Sequence, residues 1–280
     1  MKTSNKTSIG AISATIVTTI ALFLSPVAKA ADPLPLYSEN FERASGGGNL
    51  PVSDFGWQAF SGSTAVNIST AGAPANSDIV AITPVAGNPG GLGALYSVNA
   101  ATAGQTFAAV ETFATGITIP ETSTISWTMA NASMDSKVRV LVQIGGNGTA
   151  GTGTWYASDE AFASAKAYGG FGNFSSAPTS EVTFNLNFTA DKSTWREFTL
   201  TPGTSMSVAG SSLSSNLASN TITGVGFYIV SANTTSSAVR LDSLTITAAI
   251  PEPTSVAGVL GTLVIVAVWT LRRRKATIVR

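Results

Sequence analysis

The chain has 280 residues, of which only 11% are charged, and it contains neither cysteine nor histidine. The absence of both residues excludes disulfides, Ser-His-Asp triads, Cys-His dyads and zinc sites built from His or Cys. Residues 31–250 carry 14 acidic and 7 basic residues, a net charge of −7, which argues against nucleic acid as a partner and is compatible with calcium or a neutral polymer.

The first 30 residues have the features of a secretory signal peptide. A positively charged start is followed by an apolar stretch at residues 9–24. The small residues Ala28 and Ala30 stand where a signal peptidase reads its substrate, so we expect cleavage directly before Ala31. The alternative is a transmembrane anchor, but the stretch is short and contains several Ser and Thr residues. We therefore predict that signal peptidase removes this segment during export across the inner membrane.

Between residues 31 and 250, apolar side chains recur at every second position. Val138, Val140, Val142 and Ile144 are one such series, and polar residues alternate with most of it. This alternation predicts strands with one buried and one solvated face. Strands are predicted at 55–60, 78–83, 93–98, 108–113, 116–119, 123–129, 136–146, 154–158, 181–189, 195–201, 224–230 and 238–248. The sequence thus predicts one all-β domain, a single antiparallel β-sandwich of the jelly-roll type.

Three segments depart from this pattern. Residues 157–170 are the best candidate for a short helix, and the Ser-rich segment 204–220 is predicted to be a surface loop or a weak helix. Glycines at 146, 148 and 151 match the spacing of a dinucleotide-binding loop. Because a strand rather than a helix is predicted to follow, we interpret that segment as a hairpin loop.

Two neighbouring aromatic residues, Trp155 and Tyr156, lie beside this glycine loop. In a regular strand, adjacent side chains point to opposite faces, so one of the two must face outward. Trp127 and Phe227 fit core positions, as most aromatic residues of a sandwich do. If the chain has a platform on which a sugar ring stacks, we expect it at Trp155 and Tyr156.

The acidic residues do not form a catalytic pair by spacing. Asp159 and Glu160 are adjacent, so an extended chain points them to opposite faces. The remaining candidates are interpreted as isolated surface charges; they are Glu111, Glu121, Asp135 and Glu181. A glycosidase that uses two carboxyl groups remains an alternative only if two of them meet in a cleft.

The C-terminal region contains three parts in a fixed order. They are Pro251, Glu252 and Pro253, then the apolar segment 254–271, then the basic cluster Arg272, Arg273, Arg274 and Lys275. As a helix the apolar segment would span about 27 Å, close to the roughly 30 Å hydrocarbon core of a bilayer. We predict a single transmembrane helix, with the basic cluster and the tail 276–280 in the cytoplasm and residues 31–250 outside.

These three parts resemble the PEP-CTERM sorting signal of bacterial surface proteins. The resemblance covers residues 251–275 and is silent on the preceding domain. It implies processing by an exosortase-type transpeptidase near the Pro-Glu-Pro motif, in a bacterium that makes exopolysaccharide. Cleavage would turn a membrane-anchored precursor into a protein of the cell surface or extracellular matrix, whereas an uncleaved helix would be a permanent anchor.

A second resemblance concerns residues 31–250. The opening "YSENFE", the Trp of "GWQAF" and the last strand "VRLDSLTI" are similar to the first and last strands of galactose-binding-like jelly rolls, a fold found in many carbohydrate-binding modules. The resemblance implies that the first and last strands are neighbours. It also implies a structural calcium held by Glu42 and Asp242, with Glu39 in reserve. Alternatively, Asp242 lies on the solvated face and pairs with Arg240 or Arg43.

Three functions remain open. The first is a non-catalytic, exported surface protein associated with the envelope or with extracellular polysaccharide. The second is a carbohydrate-binding module with structural calcium. The third is a carboxylate-dependent glycosidase or lyase.

Overall fold

The protein is represented by a computed structural model that describes residues 35–42, 48–69, 78–84, 93–133, 135–163, 182–235 and 237–248. These residues belong to one compact unit, Asp32–Ile250. Its strands are β1 Pro35–Glu39, β2 Leu50–Pro51, β3 Gln58–Ser61, β4 Val66–Asn67, β5 Ile79–Pro84, β6 Gly93–Asn99, β7 Thr106–Thr118, β8 Thr124–Asn131, β9 Lys137–Ile144, β10 Thr154–Ser158, β11 Val182–Asn187, β12 Trp195–Thr201, β13 Ser205–Val208, β14 Thr221–Val230 and β15 Ser237–Thr247. Short 3-10 helices occur at Val52–Phe55 and Lys192–Thr194.

The strands form two antiparallel sheets, which confirms the predicted fold class. The seven-stranded sheet has the order β11-β8-β15-β6-β5-β2, with β1 also paired to β15. The eight-stranded sheet has the order β13-β12-β10-β9-β14-β7-β3-β4. The architecture is therefore an antiparallel sandwich of the jelly-roll type, with strands distant in sequence placed side by side.

The first and last strands of the domain are neighbours, as predicted. β1 pairs with the second half of β15, and Glu39 lies opposite Leu244. The pairing brings the chain back to the place where the domain begins.

The main hydrophobic core lies between the sheets and follows the period-two pattern of the sequence. Side chains buried there include Ile125, Trp127, Met129, Val138, Val140 and Val142. Trp127 makes an edge-on contact with Phe227, with ring centroids 6.1 Å apart, so both residues occupy the core positions predicted for them.

A second hydrophobic core fills the curl of the eight-stranded sheet. The turn between β3 and β4 meets β13 at the opposite edge, where the Met206 amide donates to the Ser63 carbonyl at 2.5 Å. The curl buries the second face of β9, including Leu141 and Gln143. The prediction that this face is solvated is therefore wrong for the middle of β9, because the sheet bends over it.

Several local predictions are corrected by the structure. Segments 108–113 and 116–119 belong to one 13-residue strand, β7. The segment predicted as a loop or weak helix contains β13. The start of the candidate helix at 157–170 is extended, since Phe162 forms a β-bridge with Val138, and the part from 164 onward lies outside the described residues.

The two terminal predictions concern residues outside the described ranges. The signal peptide, the Pro-Glu-Pro motif, the helix 254–271 and the basic cluster all lie outside the described residues. Within the described ranges, the chain forms no helix of sufficient length and apolarity to cross a membrane.

Candidate functional site

Trp155 lies inside the second core and not on the surface. Its side chain is only 2% exposed, and its indole Nε1 donates to the Ala150 carbonyl at 2.8 Å. A side-chain carbon placed on Gly224 would come within 2.9 Å of the Trp155 ring, so the indole packs directly over that glycine. Trp155 therefore offers no accessible face for a sugar, in contrast to the stacking role considered for it.

Tyr156 points to the opposite face of β10 and lines a groove. It is half-buried and lies directly opposite Glu197 of β12 in the antiparallel pairing. The groove has a volume of about 250 Å³, and its lining residues are Thr154, Tyr156, Glu197, Leu213, Ser214, Ser215 and Asn216. Of the two aromatic neighbours, Tyr156 is thus the one that a ligand can reach.

Backbone hydrogen bonds hold the segment that forms the far wall of the groove. The Leu213 amide donates to the Trp195 carbonyl at 3.0 Å, and the Leu217 amide donates to the Ala190 carbonyl at 2.9 Å. Between them, the side-chain oxygen of Asn216 accepts from the Lys192 amide at 3.1 Å. The wall is therefore attached at both ends and in the middle.

An ion pair attaches the beginning of the same segment to β10 and β12. Arg196 Nε lies 2.8 Å from Asp159 Oδ1, and another Arg196 nitrogen donates to the Gly210 carbonyl at 2.6 Å. Ser212 Oγ donates to the same Asp159 oxygen at 2.8 Å. Asp159 is thus engaged by Arg196 and Ser212, and the acidic side chain among the groove-lining residues is Glu197.

The groove combines one aromatic ring with hydroxyl, amide and carboxylate groups. Such a lining can stack on the face of a ring and exchange hydrogen bonds with hydroxyl groups around its rim. Sequence reasoning identified Tyr156 but missed Glu197 and the 213–216 wall. Glu197 joins Tyr156 only through strand pairing, for which the sequence contains no local signal.

A second group of ionisable residues joins the two sheets. Tyr37 of β1 donates from its hydroxyl to Glu111 Oε2 of β7 at 2.6 Å, and the Tyr37 ring packs on Phe113 with centroids 5.6 Å apart. Burial raises the pKa of Tyr37, and the neighbouring carboxylates Glu111 and Glu39 raise it further. The interpretation of Glu111 as an isolated surface charge is therefore wrong.

The carboxyl groups of Glu39 and Glu111 both have a pKa above that of a glutamate in water. Burial is the largest cause of the raised pKa of Glu111; the nearby Glu39 adds to it and the Tyr37 hydrogen bond opposes it. Burial also raises the pKa of Glu39, against the hydrogen bond from the Phe41 amide. Because Tyr37 and Glu111 belong to different sheets, we interpret this cluster as a structural connection.

The two residues considered for calcium lie in different environments. Asp242 is fully buried, and its Oδ1 accepts from the Ser243 amide at 2.7 Å; the alternative that places it on a solvated face is therefore wrong. Glu42 is exposed just beyond β1. Among the residues that the structure describes, no three His, Cys, Asp or Glu side chains group in a way that could hold a metal ion. A calcium site at Glu42 and Asp242 stays a prediction.

Comparisons with known proteins reveal distant structural similarity only. No protein-family model and no curated protein matches the chain. The family 11 carbohydrate-binding module of the cellulosomal cellulase Lic26A-Cel5E of Clostridium thermocellum is 15% identical, with a TM-score of 0.39, over 74% of this chain and 98% of that one. A structure of the Clostridium thermocellum family 11 module in complex with a beta-1,3-1,4-mixed-linked tetrasaccharide is 12% identical over 74% and 99%, also with a TM-score of 0.39.

An adhesin domain from a different kind of protein has a comparable similarity. The K1 cleaved adhesin domain of Lys-gingipain from Porphyromonas gingivalis W83 is 14% identical, with a TM-score of 0.32, over 76% of this chain and 98% of that domain. At this level of similarity, the interpretation of the groove depends on its own side chains.

Proposed function

We propose that this chain is a non-catalytic surface protein whose sandwich binds polysaccharide through the groove at Tyr156. The observation that carries the proposal is the half-buried Tyr156, which lines a groove opposite Glu197 whose far wall is fixed by hydrogen bonds. An aromatic ring with a few placed polar groups is the usual lining of a small-molecule site.

The size of the groove supports binding to part of a long polymer. Its volume of about 250 Å³ is below the roughly 300–1,000 Å³ of sites that enclose a drug-sized ligand. An open groove of this size suits one sugar residue of a chain that continues past it on both sides. The abundance of Ser and Thr around it provides hydroxyl partners without adding charge.

The targeting segments support a location outside the cell. We propose that residues 1–30 direct export and that residues 251–275 direct sorting by an exosortase-type transpeptidase, with envelope or matrix polysaccharide as the destination. Intact mass of the protein recovered from cells and medium tests this directly. Loss of both end segments is expected, and a C-terminus that ends at Arg280 would contradict removal of the helix.

Affinity electrophoresis in gels that contain hydroxyethylcellulose, galactomannan or xylan tests the binding function. The wild type is expected to be retarded by at least one of these polymers, and Tyr156→Ala to lose roughly tenfold in affinity for it. Tyr156→Phe keeps the ring and is expected to stay within about threefold of wild type.

Phe113→Ala is the matched control, because it removes another half-buried aromatic ring that does not line the groove. Equal loss of binding in Phe113→Ala and Tyr156→Ala would point to general destabilisation. Unchanged binding in a folded Tyr156→Ala protein would place the polysaccharide elsewhere and refute the proposal.

A further inference from the structure

Glu197 is the charged side chain among the groove-lining residues, and within the described ranges no cation forms an ion pair with its carboxylate. It is exposed on β12 directly opposite Tyr156. Among the described residues, the ion pair formed near the groove is that between Arg196 and Asp159, not one with Glu197. A ligand that stacks on Tyr156 therefore meets the carboxylate of Glu197.

The cations closest in sequence to Glu197 are engaged in holding the wall. Arg196 binds Asp159 and the Gly210 carbonyl. Lys192 Nζ donates to the Ser214 carbonyl at 3.4 Å, and Asp191, one residue before it, accepts from the Ser193 amide and hydroxyl. Because a carbonyl does not neutralise an ammonium group, Lys192 keeps its positive charge beside Ser214 of the wall. Glu197 is nevertheless the charged side chain that lines the groove itself.

We infer that Glu197 makes the groove select neutral over acidic polysaccharides; this inference rests on the proposed function. A carboxylate accepts hydrogen bonds from the hydroxyl groups of a neutral sugar. A uronate or carboxymethyl group at the same place would set two anions side by side, and like charges across an interface are unfavourable. The surrounding domain, with its net charge of −7, adds repulsion in the same direction at low ionic strength.

The test compares neutral polymers with carboxymethylated polymers that have the same backbone and carry added negative charge. Affinity electrophoresis of the full-length protein at low salt is run with hydroxyethylcellulose and carboxymethylcellulose, and with galactomannan and xylan and their carboxymethyl forms. The wild type is expected to bind the neutral form at least about fivefold more tightly. Glu197→Gln is expected to reduce that ratio to about twofold or less while its affinity for the neutral form stays within about threefold.

Asp135→Asn is the matched control, because it removes one exposed negative charge from the turn between β8 and β9, outside the groove lining. It is expected to leave the ratio unchanged. Raising the ionic strength should reduce the discrimination of the wild type, since the Debye length falls to about 3 Å at 1 M salt.

The outcomes separate this inference from the proposed function. If Tyr156→Ala loses binding and Glu197→Gln keeps the wild-type ratio, the groove binds polysaccharide but Glu197 does not select it, and the inference is refuted. An equal change of the ratio in Asp135→Asn and Glu197→Gln would assign selectivity to net charge and also refute it. If the wild type binds none of the polymers, or Tyr156→Ala binds as the wild type does, the proposed function itself fails.

Discussion

The carboxyl groups of Glu39 and Glu111 make the stability of the fold depend on pH. Because burial raises both pKa values in the folded state, the folded state holds protons more tightly than the unfolded chain, whose Glu pKa is about 4.3. The protonated carboxyl groups therefore contribute to the stability of the folded state, and this contribution is fully present below about pH 4.3, the pKa of a glutamate in the unfolded chain. It is lost as the pH rises through the raised pKa values of the folded state. We expect Glu111→Gln to raise the melting temperature at neutral pH and to weaken its dependence on pH.

Thermal unfolding of the wild type and Glu111→Gln between pH 4 and pH 8 measures the difference between their melting temperatures. Because both proteins contain the other carboxyl groups, the effect of those groups cancels in the difference. Tyr37→Phe is the complementary variant. It removes the hydroxyl that donates to Glu111 and should cost about 1–2 kcal/mol of unfolding free energy at neutral pH. A melting-temperature difference between wild type and Glu111→Gln that is the same at every pH would show that the carboxyl group does not titrate as described.

Part of this arrangement could be predicted from the sequence. On β7, Phe107, Ala109, Glu111 and Phe113 fall on one face by the period of two, and Phe107 and Ala109 belong to the core between the sheets. The alternation on β7 therefore contains a signal for the inner face, which the interpretation of Glu111 as a surface charge overlooked. Its partner could not be predicted, because Tyr37 lies 74 residues away and approaches from the other sheet.

Individual strands were predictable where a buried and a less buried face alternate over many residues. β8 is such a case, since its inward side chains Ile125, Trp127 and Met129 are fully buried and the residues between them are partly exposed. The segment 204–220 was not predictable in the same way. β13 has only four residues, and the rest of the segment is held by the Trp195 and Ala190 carbonyls and by Lys192.

The sequence did not predict the groove wall at 213–216, which belongs to the same segment. Tyr156 was identified from its position beside the glycine loop, next to a second aromatic residue. Glu197 and the wall at 213–216 reach it through the pairing of β10 with β12 and through hydrogen bonds to β12 and to the 3-10 helix at Lys192–Thr194. Contacts of this kind depend on which strands become neighbours, and local periodicity does not specify strand order.

For the whole molecule, the sandwich class followed from the sequence and the curl of the larger sheet did not. The eight central residues of β14 are buried on both faces, and its glycines allow close approach of the neighbouring strand. A side-chain carbon on Gly226 would lie 2.2 Å from the Ala109 carbonyl oxygen. Apolar residues occupy both faces of β14. The curl itself requires the turn at 62–65 to contact β13, which is far away in sequence.

Because β9 and β14 contribute side chains to both cores, we expect the two cores to unfold together. Trp155→Ala removes the largest side chain of the second core and should lower the unfolding free energy by about 3–5 kcal/mol, with a single calorimetric transition at a lower temperature. Trp155→Phe is the milder variant and should retain more of the stability, since it leaves a smaller cavity.

The same variants separate burial from sugar stacking. Trp155 and Tyr156 point to opposite faces of β10, so a folded Trp155→Ala protein should bind polysaccharide within about threefold of the wild type at temperatures well below its transition. Two resolved transitions in calorimetry would show that the second core unfolds independently. Loss of binding in a folded Trp155→Phe protein, with Tyr156 intact, would instead mean that the indole reaches the ligand, and the assignment of Trp155 to an enclosed core would have to be abandoned.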